Sequence, residues 1–157
     1  MTELSPENVE DYPRPPALEP VAQQIEVWLA NQLVARTDNA LRVLETYHAP
    51  TYYIPPADIT AKLEPAEGQS FCEWKGTARY WDICVDGARA ARAGWSYGTP
   101  TPRFAALTGH LAIYASAMQR CRVGSQEVLP QPGDFYGGWV TTNLTGRIKG
   151  APGTRHW

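Results

Sequence analysis

A cysteine and a lysine lie three residues apart in this chain, and aromatic residues flank both. The segment reads Cys72-Glu73-Trp74-Lys75-Gly76, and Trp81 follows five residues later. If the backbone turns at Lys75-Gly76, the thiol and the ammonium group point into one concavity. If it continues as a straight strand, positions 72 and 75 face opposite sides, because side chains alternate along a strand. The bend near Gly76 therefore decides whether a reactive pocket exists here.

Lys75 and Cys72 are the first two candidate catalytic residues. Desolvation between Trp74 and Trp81 would lower the pKa of the Lys75 amine, and a neutral amine can act as nucleophile or base. Alternatively, Lys75 is exposed and its aliphatic stem lies on an indole ring. Cys72 could supply a thiolate that Lys75 activates. It could equally be a small buried apolar side chain, which is the usual role of a free cysteine.

His48 is the third candidate catalytic residue. It precedes the strand-like segment Thr51-Tyr52-Tyr53-Ile54. Its ordinary pKa near neutrality suits a general base, although a histidine here could instead cap the carbonyls of a preceding helix. In a regular strand Tyr52 and Tyr53 point to opposite faces, so at most one of them lines a cleft directly.

Aromatic residues could complete a ligand site. The chain holds six tryptophans and eight tyrosines. Such rings could form a cage for a cation or a flat heterocycle, or they could fill the core of a β protein. The candidate ligand-binding residues are Tyr52, Tyr53, Trp74, Arg79, Trp95, Tyr97, Tyr136 and Trp139.

Basic side chains could hold an anionic group of a substrate. Arg79, Arg147, Lys149 and the turn Gly150-Ala151-Pro152-Gly153 are the candidates, because an arginine fork matches a carboxylate or a phosphate. Solvated surface positions are the alternative for the same residues.

The remaining cysteines and histidines predict no metal site and no cofactor. Cys84 and Cys121 lie in strand patterns, which favours packing in the core. His110 falls in another strand-like segment, and His156 lies near the C-terminus. Three cysteines and three histidines are scattered without the spacing of metal ligands.

Composition narrows the class of protein. A length of 157 residues suits one domain, and 14 prolines with 13 glycines favour short strands and turns in a mainly β fold. The net charge of −2 without a basic run argues against nucleic acid as a partner. No apolar stretch approaches the roughly 20 residues that cross a bilayer. The polar N-terminus lacks an apolar signal region, which predicts a cytoplasmic protein.

Two regions are predicted. Residues 1–21 form an extended, proline-rich N-terminal arm outside the core, because Tyr12-Pro13-Arg14-Pro15-Pro16 enforces extended backbone. Residues 22–157 form the β domain. No feature of the sequence indicates an oligomeric state.

Hydrophobic patterns predict the elements of the β domain. Ile25, Val27 and Leu29 alternate as in a strand, and the segment 80–85 reads as a strand that Asp86-Gly87 turns into a hairpin. Between them, the spacing of apolar residues at 40–44, after a capping Thr37 or Asp38, predicts a short helix.

At these residues the chain resembles domain-of-unknown-function family 427, which is common in bacteria. The similarity runs from about residue 12 to the end, in the order of the family's motifs. The segments that carry it are Arg42-Val43-Leu44-Glu45, Pro50-Thr51-Tyr52-Tyr53-Ile54-Pro55, Cys72-Glu73-Trp74-Lys75-Gly76-Thr77-Ala78-Arg79-Tyr80-Trp81, Trp95-Ser96-Tyr97, Tyr136-Gly137-Gly138-Trp139 and Lys149-Gly150-Ala151-Pro152-Gly153.

The resemblance implies a β-tent-like fold, in which two antiparallel sheets with one or two short helices lean together over a cleft. Related folds often carry zinc on paired cysteines, and this chain has no such pairs. Glu73 and Arg147 stand where family members more often have proline. A nucleotidyltransferase label sometimes given to the family finds no support, since the chain lacks paired aspartates after a Gly-Ser dipeptide and a P-loop.

Three functions remain open from the sequence. The first is a small-molecule enzyme of unknown reaction that uses Lys75, Cys72 and His48 in an aromatic-lined cleft. The second is a non-catalytic module that binds a small molecule in an aromatic cage. The third is a protein-interaction adaptor that docks through its N-terminal arm.

Overall fold

Antiparallel β-sheets build most of the molecule, which confirms the prediction of a mainly β fold. The computed structural model describes residues 3–133, 135–150 and 153–154. Helical segments in this part of the chain are short 3-10 helices at Val9–Asp11, Pro56–Asp58, Pro102–Leu107 and Ala115–Ala117. The strands are β1 Glu7–Asn8, β2 Ala17–Pro20, β3 Ile25–Leu29, β4 Gln32–Thr37, β5 Leu41–Leu44, β6 Thr51–Tyr53, β7 Lys62–Cys72, β8 Gly76–Val85, β9 Ala88–Tyr97, β10 Ala112–Ile113, β11 Arg120–Val123, β12 Gln126–Glu127, β13 Leu129–Pro130, β14 Trp139–Val140 and β15 Leu144–Thr145.

Three sheets of three or more strands organise these elements. The first sheet has the order β10-β9-β8-β7, the second β12-β11-β3-β4, and the third β2-β5-β6. Two further pairs, β13 with β14 and the parallel pair β1 with β15, join the later loops to the body of the protein. The long β8–β9 hairpin turns at Asp86-Gly87, where Gly87 takes a φ of +79° that favours glycine.

The largest core cluster draws on all three sheets. Ile25 and Val27 come from the second sheet, Ile83 from the first and Tyr52 from the third, and all are almost fully buried. Trp139 completes this core, and its indole N–H donates to the Ile113 carbonyl oxygen at 2.9 Å. A continuous core of this kind holds the sheets in a fixed relation and so positions the cavities between them.

The helix predicted over residues 40–44 is wrong, since this segment is strand β5. Leu41–Leu44 pairs with β2 on one side and with β6 on the other. The apolar spacing resembled that of a helix because Val43 and Leu44, although adjacent, are both buried. They pack in two different core clusters. Pairing on both edges outweighs the weak local preference for a helix.

The N-terminal segment is extended, as expected, but it is part of the sheets and the core. Strand β2 belongs to the third sheet, and Val9 is fully buried. Arg42 of β5 fastens the segment: its guanidinium donates to Glu19 at 2.7 Å and to Glu7 at 2.8 Å. The prediction of an arm outside the core therefore does not hold for residues 7–20.

Candidate functional site

The residues that the sequence marked as reactive meet at a cavity over one face of the first sheet. Cys72, Lys75 and His48 line a single cavity of about 560 Å³, called the thiol cavity below. Its floor comes from β7–β9, a second wall from the third sheet through Val43 and Tyr53, and a third wall from residues 135–138 and Lys149. Ligand pockets commonly enclose about 300–1,000 Å³, so the volume suits a small molecule.

A tight turn brings the cysteine and the lysine to this cavity. Strand β7 ends at Cys72, which pairs with Gly76 at the start of β8, and residues 73–75 form the turn. Gly76 has a φ of +107°, a backbone conformation that residues other than glycine rarely adopt. The loop around Thr101 secures the turn: its N–H donates to the Lys75 carbonyl at 3.2 Å and its hydroxyl to the Trp74 carbonyl at 2.5 Å.

Tyr97 links Cys72 and Lys75 electrostatically. Burial raises the pKa of Tyr97 well above its ordinary value, and the neighbouring Tyr53 raises that pKa further. Lys75 acts on the same phenol to lower its pKa, while Cys72 acts to raise it. The Tyr97 phenol therefore lies near both groups, on the cavity that all three line.

His48 is held neutral at physiological pH. Burial, together with the cations Lys149, Arg14 and Lys75, lowers its pKa from 6.5 to about 4. Glu45 lies 3.8 Å from Nε2, which is too long for a hydrogen bond, and its carboxylate also pairs with Arg14 at 3.6 Å. Burial, with the positive surroundings, therefore keeps the imidazole neutral despite the nearby carboxylate.

Gln131 fixes the tautomer of His48. The side-chain oxygen of Gln131 accepts from the Ala49 N–H at 3.2 Å, so its amide nitrogen is the group that faces Lys149 and His48. That nitrogen donates to the Lys149 carbonyl at 2.9 Å and to His48 Nδ1 at 3.1 Å. An amide nitrogen cannot accept, so Nδ1 carries the lone pair and the ring proton is on Nε2.

Two glycines allow the third wall to approach this closely. A Cβ on Gly138 would overlap the Gln131 side-chain oxygen and lie 2.5 Å from the Ala49 carbonyl oxygen. A Cβ on Gly137 would overlap the Trp95 indole. Sequence analysis named this dipeptide only within a segment that carries the family resemblance, and it missed Gln131 altogether. The signal that could have found the contact is a glycine pair between two aromatic residues, which indicates close packing.

Aromatic side chains form much of the thiol cavity's surface. Tyr53, Trp95 and Tyr97 are buried, and the Tyr53 hydroxyl interacts with the side chains of the other two. Tyr136 packs its ring against His48 at a centroid distance of 4.9 Å. Trp74 is half-buried in the turn. Lining aromatics that sequence reasoning did not select are Phe71, Tyr80, Tyr114 and Phe135.

Four residues that the sequence grouped with the site lie elsewhere. Tyr52 and Trp139 pack against each other in the core, with ring centroids 5.3 Å apart. Arg79 lines another cavity, on the opposite face of the first sheet. Arg147 pairs with Glu10 at 2.9 Å on the surface. Of the proposed anion-binding residues, only Lys149 borders the thiol cavity, and Ala151-Pro152 lie outside the described residues.

The other cysteines and histidines have simpler surroundings. Cys121 is buried in the core cluster, and burial raises the pKa of its thiol to about 12. Cys84 is half-buried in β8. His110 lies next to the Thr108 carbonyl at 3.3 Å, and His156 lies outside the described residues. Within the described ranges, no cluster of histidine, cysteine and carboxylate side chains could hold a metal ion.

These features define a mainly β domain with a cavity that lies over an antiparallel sheet. The chain belongs to the family described as a domain of unknown function, DUF427, which matches residues 17–124. The match includes Cys72, Lys75 and His48, while Gln131 and Lys149 of the third wall lie beyond it. No curated protein matches the chain. In the part of the chain that the structure describes, no helix has the length and apolarity needed to span a membrane.

Proposed function

We propose that the protein is an enzyme that binds a small planar molecule in the thiol cavity and attacks it with Cys72. The observation that carries this proposal is the shared position of a free thiol and an amine on the wall of one aromatic-lined cavity. A cation beside a cysteine favours the thiolate, which is the nucleophilic form. A cytoplasmic location, where thiols stay reduced, fits a free cysteine in this role.

The other polar groups suit an electrophile that carries an oxygen or a negative charge. When the sulfur adds to an electrophilic carbon, a carbonyl π-electron pair moves to the oxygen. The Lys75 ammonium group and the Nε2–H of neutral His48 are donors that could stabilise this oxyanion. His48 acts in this proposal as a hydrogen-bond donor, because Gln131 occupies its lone pair. Lys149 adds positive charge at the same wall.

Selective alkylation tests the proposal. The protein is treated with iodoacetamide at pH 7, and peptide mass spectrometry follows the modification of each cysteine. Cys72 is expected to react first, and Cys84 and Cys121 are expected to react slowly. Replacing Lys75 by Met should slow modification of Cys72 by at least about threefold, because the neighbouring charge is lost. Lys62→Met is the matched control, since Lys62 is exposed and pairs with Glu64 outside the cavity. Equal rates in the two variants would contradict the proposed activation.

A non-catalytic binding module is the second candidate. It is favoured by the His48–Gln131 pair, which leaves that imidazole unable to accept a proton at neutral pH. In this case Cys72→Ala would leave the affinity for an aromatic carboxylate probe such as 2-naphthoate unchanged. Trp74→Ala would strongly weaken binding of the probe, because an aromatic ring of the cavity wall is removed. Loss of binding in Cys72→Ala, with the fold intact by circular dichroism, would favour the enzyme.

A further inference from the structure

A second cavity lies on the opposite face of the first sheet. Its volume is about 680 Å³, and it is called the arginine cavity here because Arg79 lines it together with Trp81 and Leu63. Side chains alternate along β8, so Arg79 and Trp81 point into this cavity while Tyr80 between them lines the thiol cavity. The two cavities are therefore separate sites on one sheet.

The lining of the arginine cavity is mixed: Gln69, Thr77 and Thr99 are polar, and one wall is apolar. Leu63, Trp81 and Ile59 are partly buried and pack against the main core cluster, and Leu111 belongs to that cluster. The Trp81 indole N–H donates to the Ser96 hydroxyl at 2.9 Å, which satisfies the ring's polar atom and holds it as a wall. An apolar wall anchored on the core can accept the hydrocarbon part of a ligand without rearrangement.

Arg79 is the charged residue among the described side chains that line this cavity. It lies on a central strand, opposite Gln69 on β7 and Ser96 on β9. Within the described residues it has no hydrogen-bond or ion-pair partner. Several other arginines pair with carboxylates, as for Arg36 with Glu26 at 2.6 Å and Arg89 with Asp82 at 2.7 Å.

Arg79 is exposed at the rim of this cavity, so its guanidinium is accessible to an anionic group of a ligand that packs on the apolar wall. The planar fork of arginine binds a carboxylate through two parallel N–H···O bonds. One guanidinium balances one negative charge, and the described lining holds no second cation to balance a phosphate dianion. We propose that the arginine cavity binds an amphipathic carboxylate, with its carboxylate on Arg79 and its hydrocarbon part against Leu63, Trp81 and Leu111.

The test uses decanoate as the probe, below its micelle concentration and at constant ionic strength. Calorimetry gives the affinity, and ¹H–¹⁵N spectra locate the site through the indole N–H of Trp81. Decanoate is expected to bind and to shift this resonance. The neutral analogue decanol should bind at least about tenfold more weakly, because it lacks the charge-assisted hydrogen bonds.

Variants separate recognition by Arg79 from general binding to apolar surface. Arg79→Gln should lower the affinity for decanoate about tenfold and leave the affinity for decanol unchanged. Arg79→Lys should recover part of the lost affinity. Arg103→Gln is the matched control, since Arg103 also has no partner among the described residues but lines neither cavity. Lys75→Met should leave decanoate binding unchanged, which keeps this result independent of the thiol cavity.

Three results would overturn the assignment. Equal affinity for decanoate and decanol would mean that only the apolar wall is recognised. Unchanged decanoate affinity in Arg79→Gln, with thermal unfolding intact, would remove Arg79 from the site. Equal or tighter binding of decyl phosphate would mean that the recognised group is not a carboxylate.

Discussion

The two faces of the first sheet carry cavities of similar size and different chemistry. The thiol cavity, about 560 Å³, is lined by Cys72, Lys75 and His48. The arginine cavity, about 680 Å³, has Arg79 as its charged residue among the described lining. Successive residues of β8 serve different sites, so a shift of strand register by one residue would exchange the two linings. Strand register therefore decides which residues line each cavity.

The faces also differ in how their walls are held. On the thiol side a buried amide, Gln131, joins three chain segments by hydrogen bonds to Ala49, His48 and Lys149. On the arginine side, one hydrogen bond from the Trp81 indole N–H to the Ser96 hydroxyl holds the indole ring. A chemical step needs reacting groups held by directional polar contacts, whereas apolar packing on the core is enough to hold a wall for an aliphatic chain. The comparison thus supports chemistry on one face and binding on the other.

Replacing Gly138 by Ala is expected to have the largest effect, because it disturbs the wall of the thiol cavity that Gln131 holds. The new methyl group would overlap Gln131 and press on the Ala49 carbonyl, which is backbone and cannot move freely. We expect a loss of about 3 kcal/mol in the free energy of unfolding, measured by urea denaturation. Gly98→Ala is the control on the arginine side, because nothing lies within 4 Å of its Cβ position. Equal urea midpoints for the two variants would contradict the tight wall.

The pH dependence of stability should depend on His48. The imidazole has a pKa of 6.5 when unfolded and about 4 when folded, so the unfolded chain binds more protons between these values. Stability therefore rises with pH across this range and is lost as the pH falls from 6.5 towards 4. The His48 contribution to that loss is about 2 kcal/mol between pH 7 and 4.5.

The measurement for His48 is a difference between variants. Urea unfolding from pH 7 to 4.5 should show a shallower decline in His48→Gln than in the unchanged protein, because the variant lacks the titrating ring. His110→Gln should retain the full decline, since His110 lies outside the wall that Gln131 holds. A His48→Gln protein with the same pH slope as the parent would mean that His48 is not held neutral in the fold.

Local patterns in the sequence were enough for part of the first sheet. Alternation over residues 80–85 and the Asp86-Gly87 turn correctly predicted the β8–β9 hairpin. Strand β7 was not recognised, because Pro65 and Gly68 interrupt it at an irregularity and most of its residues are exposed. A strand that buries neither face has no alternation for a sequence pattern to detect.

Long-range contacts explain why the rest of the candidate site could not be predicted. Gln131 and His48 are 83 residues apart, and no local signal joins them. The choice between Tyr52 and Tyr53 depended on which face of β6 meets the core: Tyr52 packs on Trp139, and Tyr53 lines the thiol cavity. Spacing within one segment, as for Cys72 and Lys75, is the kind of relation that a sequence alone can express.

The smallest expected effect comes from the two hydroxyls that brace opposite faces of the sheet. Ser96 accepts from the Trp81 indole, and Ser70 accepts from the Tyr80 hydroxyl, each at 2.9 Å. Either Ser→Ala change should cost about 1 kcal/mol in the free energy of unfolding, because one hydrogen bond is lost. Their effects on the sites should differ. Ser96→Ala should weaken decanoate binding about twofold by loosening Trp81, with Cys72 alkylation unchanged.

Ser70→Ala should produce the opposite pattern. It loosens Tyr80 on the thiol side, so the rate of Cys72 alkylation should change by about twofold while decanoate affinity stays the same. The two variants form a matched pair, since each removes one hydroxyl from the same sheet. If either change altered both readouts equally, the faces would be coupled through the sheet, and the alternation of side chains would not keep the two sites independent.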